Sequence, residues 1–170
     1  MVKFKHLLII IIVLCASCKD KESVSSIDPV NWSSRMVDYN SKDSLASGTS
    51  YPSIYSEIYS LTEHKTHDLT ATVSMRNINL KDSIFISNAE YYNSEGVLIR
   101  TYFDHPIYIA PLETVEIVID EEDQAGGTGA NFIFNWKIPH GLNAPLFEGI
   151  MISTSGQQGL SFTTRGIKIK

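Results

Sequence analysis

Beyond residue 18 the 170-residue chain contains no cysteine. That excludes a disulfide framework and thiol chemistry for the folded part. Basic residues are also scarce, at 14 against 19 acidic ones. Charge of that sign disfavours nucleic acid as a partner. The apolar run at 7–14 is eight residues long, far short of the ~20 that a membrane-spanning helix needs. Amphipathic helical periodicity, internal repeats and the catalytic patterns G-x-S-x-G and H-E-x-x-H are all missing. An enzyme therefore has no motif behind it, and no cofactor is expected.

What is present begins with an address. Lys3 and Lys5 precede the apolar run, and no acid occurs before Asp20. This is the pattern of a secretory signal peptide over 1–17. Ala16 and Ser17 before Cys18 resemble the lipobox of bacterial lipoproteins, although Cys15 stands where an aliphatic residue is usual. On that reading Cys15 is discarded and Cys18 becomes the acylated N-terminus, a membrane anchor. A plain signal peptide leaving Cys18 as a free thiol is the alternative. Lys19-Asp20-Lys21-Glu22 resembles the surface-export tag of Bacteroidetes lipoproteins, or is a solvated start to a tether. Removing 1–17 takes away Lys3 and Lys5 and leaves 12 basic against 19 acidic side chains, a net charge of −7.

The segment 18–50 is serine-rich and without periodicity, which predicts a tether. Trp32, Met36, Val37 and Tyr39 are too apolar for a pure linker and are candidates to dock on the domain. From 51 onward the chain reads as short strands: 53–61, 68–78, 84–92, 97–103, 115–119, 131–137, 146–154 and 160–169, with an extended piece at 107–110. Ala71, Val73 and Met75 share one face, as do Val115, Ile117 and Ile119, and Phe132, Phe134 and Trp136. Roughly eight strands with turns between them predict an all-β, Ig-like antiparallel sandwich over 51–170.

The pieces Y-P-S-I-Y-S-E-I-Y (51–59), L-T-A-T-V-S-M-R-N (69–77), Y-Y-N-S-E-G (91–96), G-G-T-G-A-N-F (126–132) and Q-G-L-S-F-T-T-R-G (158–166) carry a resemblance. Together they resemble a bacterial domain-of-unknown-function family of small envelope lipoproteins. T-V-S-M-R-N and I-A-P-L-E-T-V-E-I-V-I are similar to Ig-like envelope domains in general. The resemblance implies a fold and a location in the cell envelope, at the outer membrane's periplasmic face or the cell surface, and no activity.

If every connection reverses the chain, alternate loops share an end. One end then gathers 62–67, 93–96, 121–130 and 155–159; the other gathers 79–83, 104–106 and 139–145. The first holds the distinctive residues: His64, His67, Asp123, Gly126, Gly127, Asn131, Gln157 and Gln158. His64 and His67 with an acid are metal-ligand types, but three apart on a strand they face opposite ways. Glu121, Glu122 and Asp123 lack calcium-loop spacing. Gly126-Gly127-Thr128-Gly129 has neither the helix nor the lysine of a phosphate loop. A loop needing positive φ, with Asn131 hydrogen-bonding to it, accounts for it better. The expected role is a lipid-anchored, non-enzymatic module that engages another envelope protein. The alternative is a glycan or metal site at His64, His67, Asp123 and Gln157.

Overall fold

A computed structural model describes residues 30–39, 44–154 and 159–170. The expected signal peptide over 1–17, Cys18, residues 19–29 of the expected tether, Gln157 and Gln158 lie outside the described residues. Twelve strands lie among those described: β1 (Leu45–Tyr51), β2 (Glu57–Ser60), β3 (Thr62–Asp68), β4 (Thr70–Arg76), β5 (Ile84–Tyr92), β6 (Leu98–Phe103), β7 (Ile107–Ile109), β8 (Thr114–Ile119), β9 (Asn131–Pro139), β10 (Leu146–Ser153), β11 (Leu160–Arg165) and β12 (Ile167–Lys168). The larger sheet runs β12-β1-β9-β5-β6, with β7 also on β5; the smaller runs β11-β10-β4-β8; β2 and β3 form a hairpin. The fold is an all-β antiparallel sandwich, as the alternation predicts.

The core lies between the two sheets because each strand's apolar residues recur at every second position. Ala71, Val73 and Met75 of β4 and Ile117 and Ile119 of β8 are fully buried, with Val115 nearly so. They face Phe132, Phe134 and Trp136 of β9. In β5 the buried set changes phase, from Ile84 and Ile86 to Ala89 and Tyr91. A register shift between Ile86 and Asn88 absorbs the extra residue, as a bulge does. Tyr91, Phe132, Phe134 and Phe147 stack in a column with centroid separations of 4.8, 5.3 and 4.4 Å, joining one sheet to the other.

Four expectations need correction. The sandwich starts before Tyr51, because β1 pairs along β9 from Leu45 to Ser50. Its inward residues are small: Gly48 faces Trp136, and a Cβ there would lie 2.3 Å from the indole. The expected strand 53–61 is only the hairpin arm β2, and the expected loop 62–67 is its partner β3. The run 160–169 divides at Gly166, so β11 lies on the smaller sheet and β12 on the larger. Finally, 104–106 is not a reversal. β6 and β7 both run antiparallel to β5 and continue one another along its edge; the chain turns back at 110–113 instead.

Residues 30–39 dock on that edge. Trp32–Arg35 forms a 3-10 helix capped by Asn31. The Trp32 ring lies 4.7 Å from Phe103, and Met36 bridges to Ile107. The segment covers an open strand edge, a surface prone to unwanted pairing when bare.

Candidate functional site

One sandwich end is built on two turns. Asn93 closes the first: its Oδ1 accepts from Glu95 N at 3.0 Å and Val97 N at 2.9 Å. Gly96 takes the positive φ of 76° that the turn requires. The second is the acidic, glycine-rich connection from β8 to β9. Asp123 caps its short helical turn, accepting from Ala125 N at 3.3 Å, as short polar side chains do at such positions.

Ser94 ties the turns together. Its Oγ donates to Gly126 O at 3.1 Å and accepts from Gly129 N at 2.7 Å, while its own N donates to Gly126 O at 3.0 Å. Gly127 has φ 72° and ψ −160°, backbone territory that only glycine enters readily. Ser56 Oγ donates to Gly127 O at 3.3 Å and so joins the hairpin side to the loop. Gln124 Nε2 donates to Asp68 Oδ1 at 2.9 Å.

Asp123 is buried, and Arg100 Nη2 reaches its Oδ2 at 2.9 Å. Arg100 Nη1 donates to Tyr102 OH at 3.0 Å. A buried carboxylate needs such a counter-charge. Below the loop, the Tyr91 hydroxyl is buried, close to Ser56 but with no hydrogen bond of good geometry among the described residues. Burial pushes its pKa well above the ordinary tyrosine value, with the neighbouring Ser56 hydroxyl opposing.

Of the residues picked from sequence, Asp123, Gly126 and Gly127 come together here. Asn131 starts β9 opposite Tyr92 and bridges to Ser53; the loop is held by Ser94, Ser56 and Asp123 rather than by Asn131. His64 and His67 lie on β3: His67 pairs with Ile58, while His64 falls among 63–65, which a register shift between Thr62 and Thr66 leaves unpaired. His64 is exposed, its Nε2 3.5 Å from Glu63 Oε1. Among the described residues, no three His, Cys, Asp or Glu side chains gather as a metal site. Gln157 and Gln158 are not described, but Ile152 lies opposite Thr70 and Ala71 opposite Ile119. The flanks of their loop therefore sit at this same end. Arg100 and Ser94 were not legible from sequence: one is a lone charge on a strand, the other one serine among many.

The same end carries the β2–β3 hairpin tip. Residues 61–65 are all exposed. Leu61 turns the chain at φ 66° with 91% of its surface exposed, beside Tyr59 at 62%.

Fold and site together define a small antiparallel β-sandwich with a hydrogen-bonded loop end. The chain belongs to the family described as protein of unknown function (DUF3124), whose model matches residues 47–169. No curated protein sequence matches it. The Thermotoga maritima 1070 crystal structure is similar at 9% identity and a TM-score of 0.44, covering 71% of this chain and 92% of that one.

Proposed function

We infer that this chain is a lipid-anchored protein of the bacterial envelope, acylated at Cys18, whose sandwich is a non-enzymatic protein-interaction module. The anchor is supported by the basic start, the short apolar run and the small residues before Cys18. The observation that carries the interaction role is Leu61. A left-handed conformation costs a side-chain-bearing residue roughly 1–2 kcal/mol, and a Leu that is 91% exposed gains almost nothing from its own fold in return. Burial of Leu61 and Tyr59 against a partner offsets that cost. A glycan or metal ligand has less support, because Arg100 already holds Asp123.

The test is cross-linking in native membranes followed by purification, comparing wild type with Leu61→Gly and Tyr59→Ala. Glycine accepts φ 66° without strain, so Leu61→Gly removes the side chain and leaves a fold at least as stable. Wild type is expected to capture a reproducible envelope partner, and both variants to lose most of it. Equal capture by all three proteins, or no reproducible partner, refutes the interaction role.

A further inference from the structure

At the end opposite the candidate site, three large aliphatic side chains stand in solvent. Leu80 is 76% exposed, Leu112 63% and Ile78 44%. They come from two loops joined by Leu112 N donating to Asn79 O at 3.2 Å. Leu112, like Leu61, has a positive φ, 59°. Beneath them the backbone is fixed by buried asparagines. Asn77 Nδ2 reaches the carbonyls of Asp82, Ile109 and Ala110 at 2.9, 3.0 and 3.0 Å. Asn79 donates to Asn77 Oδ1 and accepts from Asn143 N at 2.9 Å. The apolar cluster is thus displayed on a rigid platform.

We propose that this end rests on the lipid bilayer, so that the sandwich stands on the membrane with the candidate site pointing away from it. The inference rests on the lipid-anchor reading of Cys18. Two further observations select this end. The first is charge. The candidate-site end carries Glu57, Glu63, Glu95, Asp120, Glu121 and Glu122 against Lys65, and an anionic leaflet repels it. The Leu80 end has Lys81 beside Asp82, and its Glu113 is neutralised by Arg35. The second is chain length. Because 30–39 dock on the domain, only 11 residues separate Cys18 from Val30. Eleven residues span at most about 36–40 Å in any conformation, so the domain stands close to its anchor. The docked segment also meets the domain beside the apolar cluster, since Arg35 grips Glu113, the residue after Leu112.

The experiment uses the full lipidated protein. Acylation blocks Cys18 and processing removes Cys15, so an introduced cysteine is the sole free thiol. Leu80→Cys and the opposite-end control Leu61→Cys carry an environment-sensitive fluorophore, in vesicles of phosphatidylcholine with phosphatidylglycerol. The Leu80 probe is expected to shift to the blue and to be quenched several-fold more by a lipid-borne quencher than the Leu61 probe. Equal quenching, stronger quenching at Leu61, or a blue-shifted Leu80 probe that lipid quenchers do not reach overturns the orientation; the last outcome assigns the cluster to a protein contact. Mass spectrometry separates the two readings: a mature protein without acyl chains overturns the anchor, and this orientation with it.

Discussion

Arg35 Nη2 lies 2.8 Å from Glu113 Oε1 and fastens the segment before the sandwich to the connection between its two sheets. Glu113 Oε2 also accepts from Ala110 N at 2.7 Å, so one carboxylate serves both the turn and the docked segment. Arg35→Ala should release 30–39 while the sandwich stays folded. A partly exposed pair of this kind contributes up to about 1 kcal/mol, and the segment opens locally rather than globally. Trp136 is buried and Trp32 half-buried, so a red shift in tryptophan emission reports Trp32. The expected result is that red shift and faster proteolysis before residue 44, with little change in melting temperature. Unchanged emission and protease resistance would show that Trp32 against Phe103 holds the segment alone.

The same pair sets an acid limit on docking. The hydrogen bond from Arg35 holds the Glu113 carboxyl below its usual value of 4.5, with burial opposing and Ala110 N assisting. A depressed folded-state pKa stabilises above the unfolded value and loses that contribution as pH falls through the folded one. Docking should therefore be complete at neutral pH and weaken only below the ordinary carboxylate range. A Trp32 emission titration checks this, and Glu113→Gln should flatten it. A midpoint above pH 5 in wild type, or an unaltered curve in the variant, would assign the transition to another group.

Gly48 and Trp136 make a tighter constraint. A Cβ on Gly48 would lie 2.3 Å from Cζ2 and 2.6 Å from Cη2 of the indole. The ring cannot easily yield, because its Nε1 donates to buried Ser50 Oγ at 3.0 Å. Gly48→Ala should destabilise by about 1–3 kcal/mol, the usual range for overpacking a core. Adding Trp136→Phe should make the glycine substitution far less costly than it is in wild type. Thermal or urea melts of the four proteins close the cycle; additive losses would mean that the indole does not enforce the glycine.

That contact also explains which strands were legible. β4, β8 and β9 announce themselves because large apolar residues alternate along them. β1 does not, because Trp136 occupies the space that its inward side chains would need, leaving Gly48 and Ser50 in a stretch that reads as tether. β3, T-E-H-K-T-H-D, has no apolar residue to alternate, and only its pairing with β2 makes it a strand. At the site, the grouping of the 93–96 turn with the glycine loop follows from counting chain reversals. Ser94 bonding to Gly126 and Gly129 does not, since those residues are 32 and 35 positions away. The docking of Trp32 was legible as excess apolarity, its place on the sheet edge was not.

Tyr91 and Gly126 make the last prediction. The Tyr91 hydroxyl is buried with no well-formed hydrogen bond among the described residues, and a Cβ on Gly126 would lie 1.9 Å from it. Removing a buried polar group that has no hydrogen bond is neutral or stabilising, by up to about 1 kcal/mol. Tyr91→Phe should therefore keep or raise the melting temperature, since the ring still stacks on Phe132 at 4.8 Å. Gly126→Ala should lower it, and Tyr91→Phe should restore only part of the loss, because Ala130 Cβ also stands 2.8 Å from the new methyl. A large loss from Tyr91→Phe alone would mean that the hydroxyl holds a bond after all, with Ser56 or a buried water as the donor or acceptor to test next by Ser56→Ala.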